Sequence, residues 1–350
     1  MGKETGISWC SHTFNPWSGC TRVSEACRFC YAERDSKRNP ATNGTWGPNG
    51  TRVARVESYW QKVFKWNSES YDRQCADINA DGETYRSRVF CASNADVFEQ
   101  WNGPIIDNKG NRLGIDHHGT VFRVGVGLLD ADRWLMMDDI RLRLFDTIRQ
   151  TDQLDWLLLT KRPESIGDTL RRCFDLTEPN SEIAIWLLEW LEGHPPTNVW
   201  LGTTVENQAS LDRIDILRGI PAVIRFVSME PLLEDLGKID LFGISWCIVG
   251  GESGSIDDAR TFDARWARSI RDQCKSSNVA FFFKQFGRHV ADSGGGDGTF
   301  SDLWPDEIER TFFEGDDTYS VYLKDRAGAD PSEWPDDLKI QEFPKVAYGE

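Results

Sequence analysis

The chain of 350 residues is 39% apolar and carries 15 Trp and 19 Phe, which excludes a disordered protein. Its 56 acidic and 40 basic residues give a formal charge of −16. That balance excludes a protein that coats nucleic acid non-specifically, because Lys and Arg on phosphates dominate such binding. A local basic face stays compatible with it, since much of the acidity lies late in the chain, in 292–309 and 314–320.

The opening MGKETGISW has no apolar h-region, and no later run approaches the length that spans a bilayer. Gly6 stands where a myristoylation signal wants Ser or Thr. The expectation is a cytoplasmic protein without membrane contact. In that reducing setting, grouped cysteines read as metal ligands before they read as disulfides.

After a first strand expected near 8–15, residues 13–33 read TFNPWSGCTRVSEACRFCYAE, with Cys20, Cys27 and Cys30 spaced C-x6-C-x2-C. Thiolates this close bind a soft metal or a cluster. A structural zinc site wants four ligands and is closed. A [4Fe–4S] cluster on three thiolates leaves one iron open. Cys10 or His12 could complete a zinc site with the triplet, so both readings stand at this point. Cys91, Cys173, Cys247 and Cys274 lie in apolar or helical surroundings and read as buried small side chains.

Residues 34–52 are rich in Gly, Asn and Pro and read as a loop. The stretch 53–66 has the spacing of an amphipathic helix. Apolar, β-branched and aromatic runs then recur at 88–99, 155–164, 198–207, 225–234, 245–254 and 280–287. Such uninterrupted runs suit strands buried on both faces of a parallel sheet. Helical periodicity fills 138–151, 163–174, 181–193, 207–219 and 264–277 between them. The alternation predicts an α/β fold, a partial (open) β/α barrel of about six or seven parallel strands. A doubly wound sheet is the alternative. Residues 100–131 break the rhythm and read as an inserted hairpin with His117 and His118 in a turn. The expected organisation is 1–287 for the barrel and 288–350 for a C-terminal extension capping it.

In parallel α/β folds the ligand lies at the carboxyl ends of the strands. The residues ending the runs are Ser93, Asn94 and Asp96; Lys161 and Arg162; Thr203, Thr204 and Glu206; Ser228, Met229 and Glu230; Gly250, Gly251, Glu252 and Ser253; Lys284 and Gln285. Six runs in succession end in polar or charged groups, which points to a site. In GGESG the glycines would let backbone approach a ligand closely.

These residues resemble the radical S-adenosylmethionine superfamily. Its usual signature has three residues between the first two cysteines, where six stand here. The CRFC segment keeps the aromatic residue before the third cysteine. More closely, TFNPWSGC, CRFCYAE, WLLLTKRPE, WLGTTVEN, SMEPLL, GGESG and KQFG together resemble a phage-encoded, radical-SAM-like family over about residues 8–287. The resemblance implies that Cys20, Cys27 and Cys30 ligate a [4Fe–4S] cluster whose fourth iron takes S-adenosylmethionine. It further implies a substrate in DNA, a glycine-modified thymidine converted from nitrogen-linked to carbon-linked form, with the base flipped out for the reaction.

By the same resemblance Phe29 and Tyr31 flank the adenosine, and Ser93, Asn94 and Asp96 stand where the family contacts the cofactor's amino group. The family's GGE after the second strand is replaced by ASNAD. Thr203, Glu206 and Ser228 become candidates for cofactor contacts, and Glu230, Glu252, Lys284 and Gln285 for the substrate side. Arg34, Lys37, Arg38, Lys161 and Arg162 are candidate phosphate contacts, with Trp17 or Trp46 stacking on a base. A reductase or flavodoxin-type electron donor is implied, as is the cytoplasm of a phage-infected host. The same chemistry on another nucleotide, RNA or a peptide is an alternative. A metal-stabilised phage binding protein without turnover is another.

Overall fold

The structure is a computed structural model that describes residues 5–77, 86–116, 119–123, 133–293, 303–313 and 317–346. His117 and His118 lie outside the described residues. The chain divides into two compact units, Met1–Leu201 with Ile220–Val223, and Gly202–Gly219 with Ile224–Glu350.

The first unit begins with two short strands, β1 (His12–Thr13) and β2 (Trp17–Ser18). The cysteine loop follows, then α1 (Tyr31–Arg38), α2 (Pro40–Asn43), β3 (Arg52–Ala54), α3 (Glu57–Asp77) and β4 (Ser87–Cys91). The helix expected over 53–66 is therefore displaced. Arg52–Ala54 pairs with β2 as a strand, and the helix starts at Glu57 and runs eleven residues past Trp66, to Asp77. Next come β5 (Ile105–Ile106), β6 (Leu113–Ile115), β7 (Val121–Arg123) and β8 (Arg133–Trp134). Strand β6 pairs antiparallel with both β7 and β8, as an inserted hairpin requires. The unit continues through α4 (Met137–Gln150), β9 (Leu154–Thr160), α5 (Ile166–Asp175) and α6 (Glu182–Leu191).

Helix α4 starts where Asp139 accepts the amide of Met136 at 2.8 Å, and α6 where Ser181 accepts the amide of Ala184 at 3.3 Å. Aromatic packing fixes the centre of this unit. Phe14 lies 5.1 Å from Tyr59, 5.1 Å from Trp60 and 5.7 Å from Trp156, ring centre to ring centre.

Strand β10 (Val199–Thr204) crosses from the first unit into the second. The second unit holds α7 (Asp212–Arg218), β11 (Ile224–Met229), β12 (Trp246–Gly250), β13 (Thr261–Asp263), α8 (Ala264–Ser277) and β14 (Ala280–Gln285). The late strands are β15 (His289–Asp292), β16 (Glu309–Phe313) and β17 (Thr318–Tyr322). Its core runs from Val205 and Val227 through Cys247, Phe262, Phe283 and Phe286 to Trp334. Helix α8 ends at Asn278, whose φ of 55° is the left-handed stop that Asn tolerates.

The seven-stranded sheet has the order β1-β4-β9-β10-β11-β12-β14 and is parallel throughout. It agrees with the expected open β/α barrel of six or seven strands. Strands β4, β10 and β12 are buried along their whole length, which explains their uninterrupted apolar sequences. Strand β13, which precedes α8, joins the late strands β15, β17 and β16 in a second sheet. The segment KIQEFPKV makes one bridge, from Gln341 to Phe282. Residues 340–342 nonetheless hydrogen-bond along β14 and occupy its open edge. Among the described residues no helix is long and apolar enough to cross a membrane.

Candidate functional site

The cysteine loop is pinned before it reaches its first thiol. Gly19 has φ +109°, and a Cβ there would meet the Thr51 carbonyl oxygen at 2.6 Å, so the position requires glycine. Its amide donates to Asn94 O at 3.1 Å, and Cys20 O accepts from the Gly47 amide at 2.9 Å.

Four charged side chains stand behind Cys20. Arg52, fully buried, donates from Nε and Nη2 to the two oxygens of Glu99, both at 2.8 Å, and lies 3.8 Å over the ring of Trp101. Arg162 donates from Nη1 to Asp96 Oδ2 at 2.7 Å and stands 3.7 Å from Glu99. Both arginines also hold Thr21, the residue after Cys20: Arg52 through Oγ1 at 3.0 Å, Arg162 through the carbonyl at 2.7 Å. From α4, Arg141 fixes the acidic segment by donating to the carbonyls of Val97, at 2.6 Å, and Glu99.

The other two thiols sit at the start of α1. Glu25–Cys27 forms a single 3-10 turn, and Cys30 is the residue capping α1. Arg22 and Glu33 close the loop with a two-pronged pair of 2.6 and 2.8 Å, and Lys37 joins Glu33 from the next turn at 3.2 Å. Ser24 Oγ lies 3.8 Å from Cys27 Sγ.

The local electrostatics differ between the thiols. Burial pushes the Cys20 thiol up to about 12; Glu99 and Asp96 add to the shift and Arg162 offsets part of it. Burial also raises Cys30, against the helix-start amides of Glu33 and Ala32 and the charge of Lys161. The bond to Glu33 holds the Arg22 guanidinium above its ordinary range, and Cys27 and Cys30 act on it in the same direction.

Several expected ligand contacts turn out to hold this loop. Asp96 is buried, and its oxygens accept from Thr160 Oγ1, the Phe98 amide, the Lys161 amide and Arg162. Ser93 Oγ bonds Asn15, the Asn94 amide donates to Asn15 Oδ1, and Tyr31 donates its hydroxyl to Ser93 O at 2.7 Å. Tyr31 and the 93–94 turn thus tie α1 to β4. Phe29 is half-buried, with the Arg28 guanidinium 5.1 Å from its ring centre.

Arg162, expected among the phosphate contacts, is instead buried against Asp96, because a strand-end arginine beside two buried carboxylates is held by them. Trp17, expected to stack on a base, is fully buried in the core, whereas Trp46 is half-buried. Arg34, Lys37 and Arg38 are exposed on α1, Lys37 and Arg38 pairing with Glu33 and Asp35. Lys161 is half-buried. Sequence reasoning passed over Arg22, Glu33, Asn15, Arg52 and Glu99. Arg22 lay inside the cysteine stretch and was the accessible signal.

The second unit brings together its own set of strand-end groups. Lys284 and Glu230 form an ion pair, both side chains partly exposed. Glu252 accepts Arg260 at 2.6 and 2.8 Å, and Glu206 accepts Arg213 at 2.8 Å; both carboxylates are buried. Thr203, Thr204 and Ser228 are buried, and Ser228 O takes the Val205 amide at 3.0 Å. Gln285 donates to Gly251 O at 3.1 Å. The glycines of GGESG have a structural role: a Cβ on Gly251 would collide with the Phe286 carbonyl, so the close approach is to β14's own continuation.

A single-ion site needs ligands converging on one point. Among the described residues no three His, Cys, Asp or Glu side chains do so. Cys10 is buried with its sulfur 3.9 Å from Ile7 O, and the His12 ring stacks on Trp66 at 4.4 Å. A sequence model of the family described as "Protein of unknown function (DUF5131)" matches residues 4–105 and 128–335. The gap falls across the inserted hairpin. No curated protein and no solved structure matches.

Proposed function

The chain belongs to that family of unknown function, and from the way its cysteine loop is held we propose that it is a radical S-adenosylmethionine enzyme. In this reading Cys20, Cys27 and Cys30 would hold a [4Fe–4S] cluster. The observation that carries it is the contrast between the triplet and its neighbours. Three free, half-buried thiols share one braced loop, while Cys10 and His12, which would close a zinc site, are packed elsewhere. A cubane takes one thiolate at each iron corner, so its ligands need not converge as a zinc ion's must. The donor set fits that group, with one corner left for a small molecule.

The cluster and S-adenosylmethionine, when bound, supply the reductive cleavage that generates a carbon radical. The chain's own residues place and shield. Arg52, Glu99, Asp96 and Arg162 fix Cys20 from behind, and Arg22 with Glu33 fixes the α1 end. The substrate we propose is a glycine-modified thymine in DNA, supported by the sequence resemblance and by the exposed cations Arg34, Lys37 and Arg38 beside the loop. In the second unit, buried Glu252 and Glu206 serve their arginines, whereas the Lys284–Glu230 pair is partly exposed.

The test is anaerobic incubation with S-adenosylmethionine and a strong reductant, with and without phage DNA carrying the modified base. Deoxyadenosine formation stimulated by that DNA, with a change in the mass of the released nucleoside, supports the reading. Formation indifferent to DNA removes the substrate, and none at all removes the activity.

A further inference from the structure

The buried guanidinium of Arg162 has its Nη1 3.8 Å from Cys20 Sγ, a hydrogen-bonding range for sulfur. We propose that Arg162 is a positioning residue that donates an N–H···S bond to Cys20 and so raises the reduction potential of the cluster on this loop. This rests on the reading that the loop holds such a cluster.

The geometry leaves Arg162 little freedom. Its Nη1 also donates to Asp96 Oδ2 at 2.7 Å, and its Nη2 to Thr21 O at 2.7 Å. Arg52 holds the same Thr21 through its hydroxyl at 3.0 Å. The sulfur and the donor are therefore fixed to one short piece of backbone and cannot drift apart. A planar guanidinium reaches all three acceptors together, whereas an ammonium on a flexible stem cannot match the fork.

Charge arithmetic singles out the hydrogen bond. Arg52, Arg162, Asp96 and Glu99 carry two positive and two negative charges, so the network is neutral when seen from a distance. Close to Cys20 the N–H dipole remains. Reduction adds negative charge that spreads onto the thiolate sulfurs, so a donor there favours the reduced state. The donor itself is buried, and in that low-dielectric setting its bond to the sulfur is stronger than it would be in water. Cys27 has a neutral hydroxyl, Ser24 Oγ, at the same 3.8 Å.

Two variants test the proposal: Arg162→Lys, and the paired Arg162→Gln with Asp96→Asn, which leaves no buried charge without its partner. Each is purified anaerobically, assayed for iron, and titrated against redox mediators while the electron spin resonance of the reduced cluster is followed. The paired variant should keep its iron and need a lower potential, its reduction equilibrium moving about tenfold toward the oxidised form, or ~59 mV for one electron. Arg162→Lys should shift in the same direction by less. A paired variant that titrates with the wild type overturns the assignment. So does loss of iron from both variants, since Arg162 would then only hold the loop. A wild-type protein without iron would instead sink the reading of the loop itself.

Discussion

Arg22 and Glu33 face each other across the cysteine loop, Nε to Oε2 at 2.6 Å and Nη2 to Oε1 at 2.8 Å, joining the chain just after Cys20 to the first turn of α1. Arg22 is about half exposed, so the pair adds little to global stability, on the order of 0.2–1 kcal/mol. Its work is local. Arg22→Ala should leave the melting temperature nearly unchanged while iron is lost faster to a chelator. Equal chelation rates for variant and wild type would show that the pair does not hold the loop closed.

The Arg52–Glu99 pair behaves differently, because both side chains are buried. Removing one partner strands a charge, and Arg52→Ala should lower the unfolding free energy by about 3–5 kcal/mol. Replacing both with apolar residues should recover much of that loss in urea titrations. Iron binding should not recover with it, since Thr21 loses its bond from Arg52 in either variant.

Gly19 sits at φ +109° with no room for a side chain. Gly19→Ala should destabilise, and by more than the ~0.4–1 kcal/mol that the same change contributes in favour of folding where alanine fits the backbone. The damage should be concentrated at 19–21, readable as faster hydrogen exchange there than in α4.

In the inserted hairpin, Asp107 accepts from the amides of Lys109 and Asn111 at 2.8 and 2.9 Å and pairs with Arg123. Burial works against its charge, but the bonds from Asn111, Lys109 and Arg123 outweigh it and hold the carboxyl below the ordinary aspartate range. A lowered folded-state pKa contributes stability above the unfolded value and loses it as pH falls through the folded one. The Lys109 and Asn111 amides should therefore exchange faster, relative to α4, as the pH drops below the normal aspartate range. Asp107→Asn should remove that dependence.

Much of the architecture was legible because it rests on local pattern. The run WLLLT reads as a strand because β9 is buried almost throughout, and the spacing over 138–151 reads as the helix found at Met137–Gln150. Helix α3 was half hidden. Its later turns bury Ser70 and Gln74, polar residues four apart, with Ser70 Oγ donating to Gln153 O at 2.6 Å, so no apolar stripe marks them. The three cysteines stood out through spacing. Their supports did not, because Arg52 meets Glu99, and Arg162 meets Asp96, across long stretches of chain. Sequence pattern does not tell a cation that faces a carboxylate from one that faces solvent. The same blindness made GGESG look like a ligand cradle, when Gly251 clears space for the Phe286 carbonyl.

Metal analysis of anaerobically purified protein decides whether the cysteine loop holds a cluster open at one corner. About four irons and four sulfides per chain are expected, with loss of both in Cys27→Ala and retention in Cys10→Ala and His12→Ala. Stoichiometric zinc without sulfide, lost when Cys10 or His12 is replaced, would contradict it.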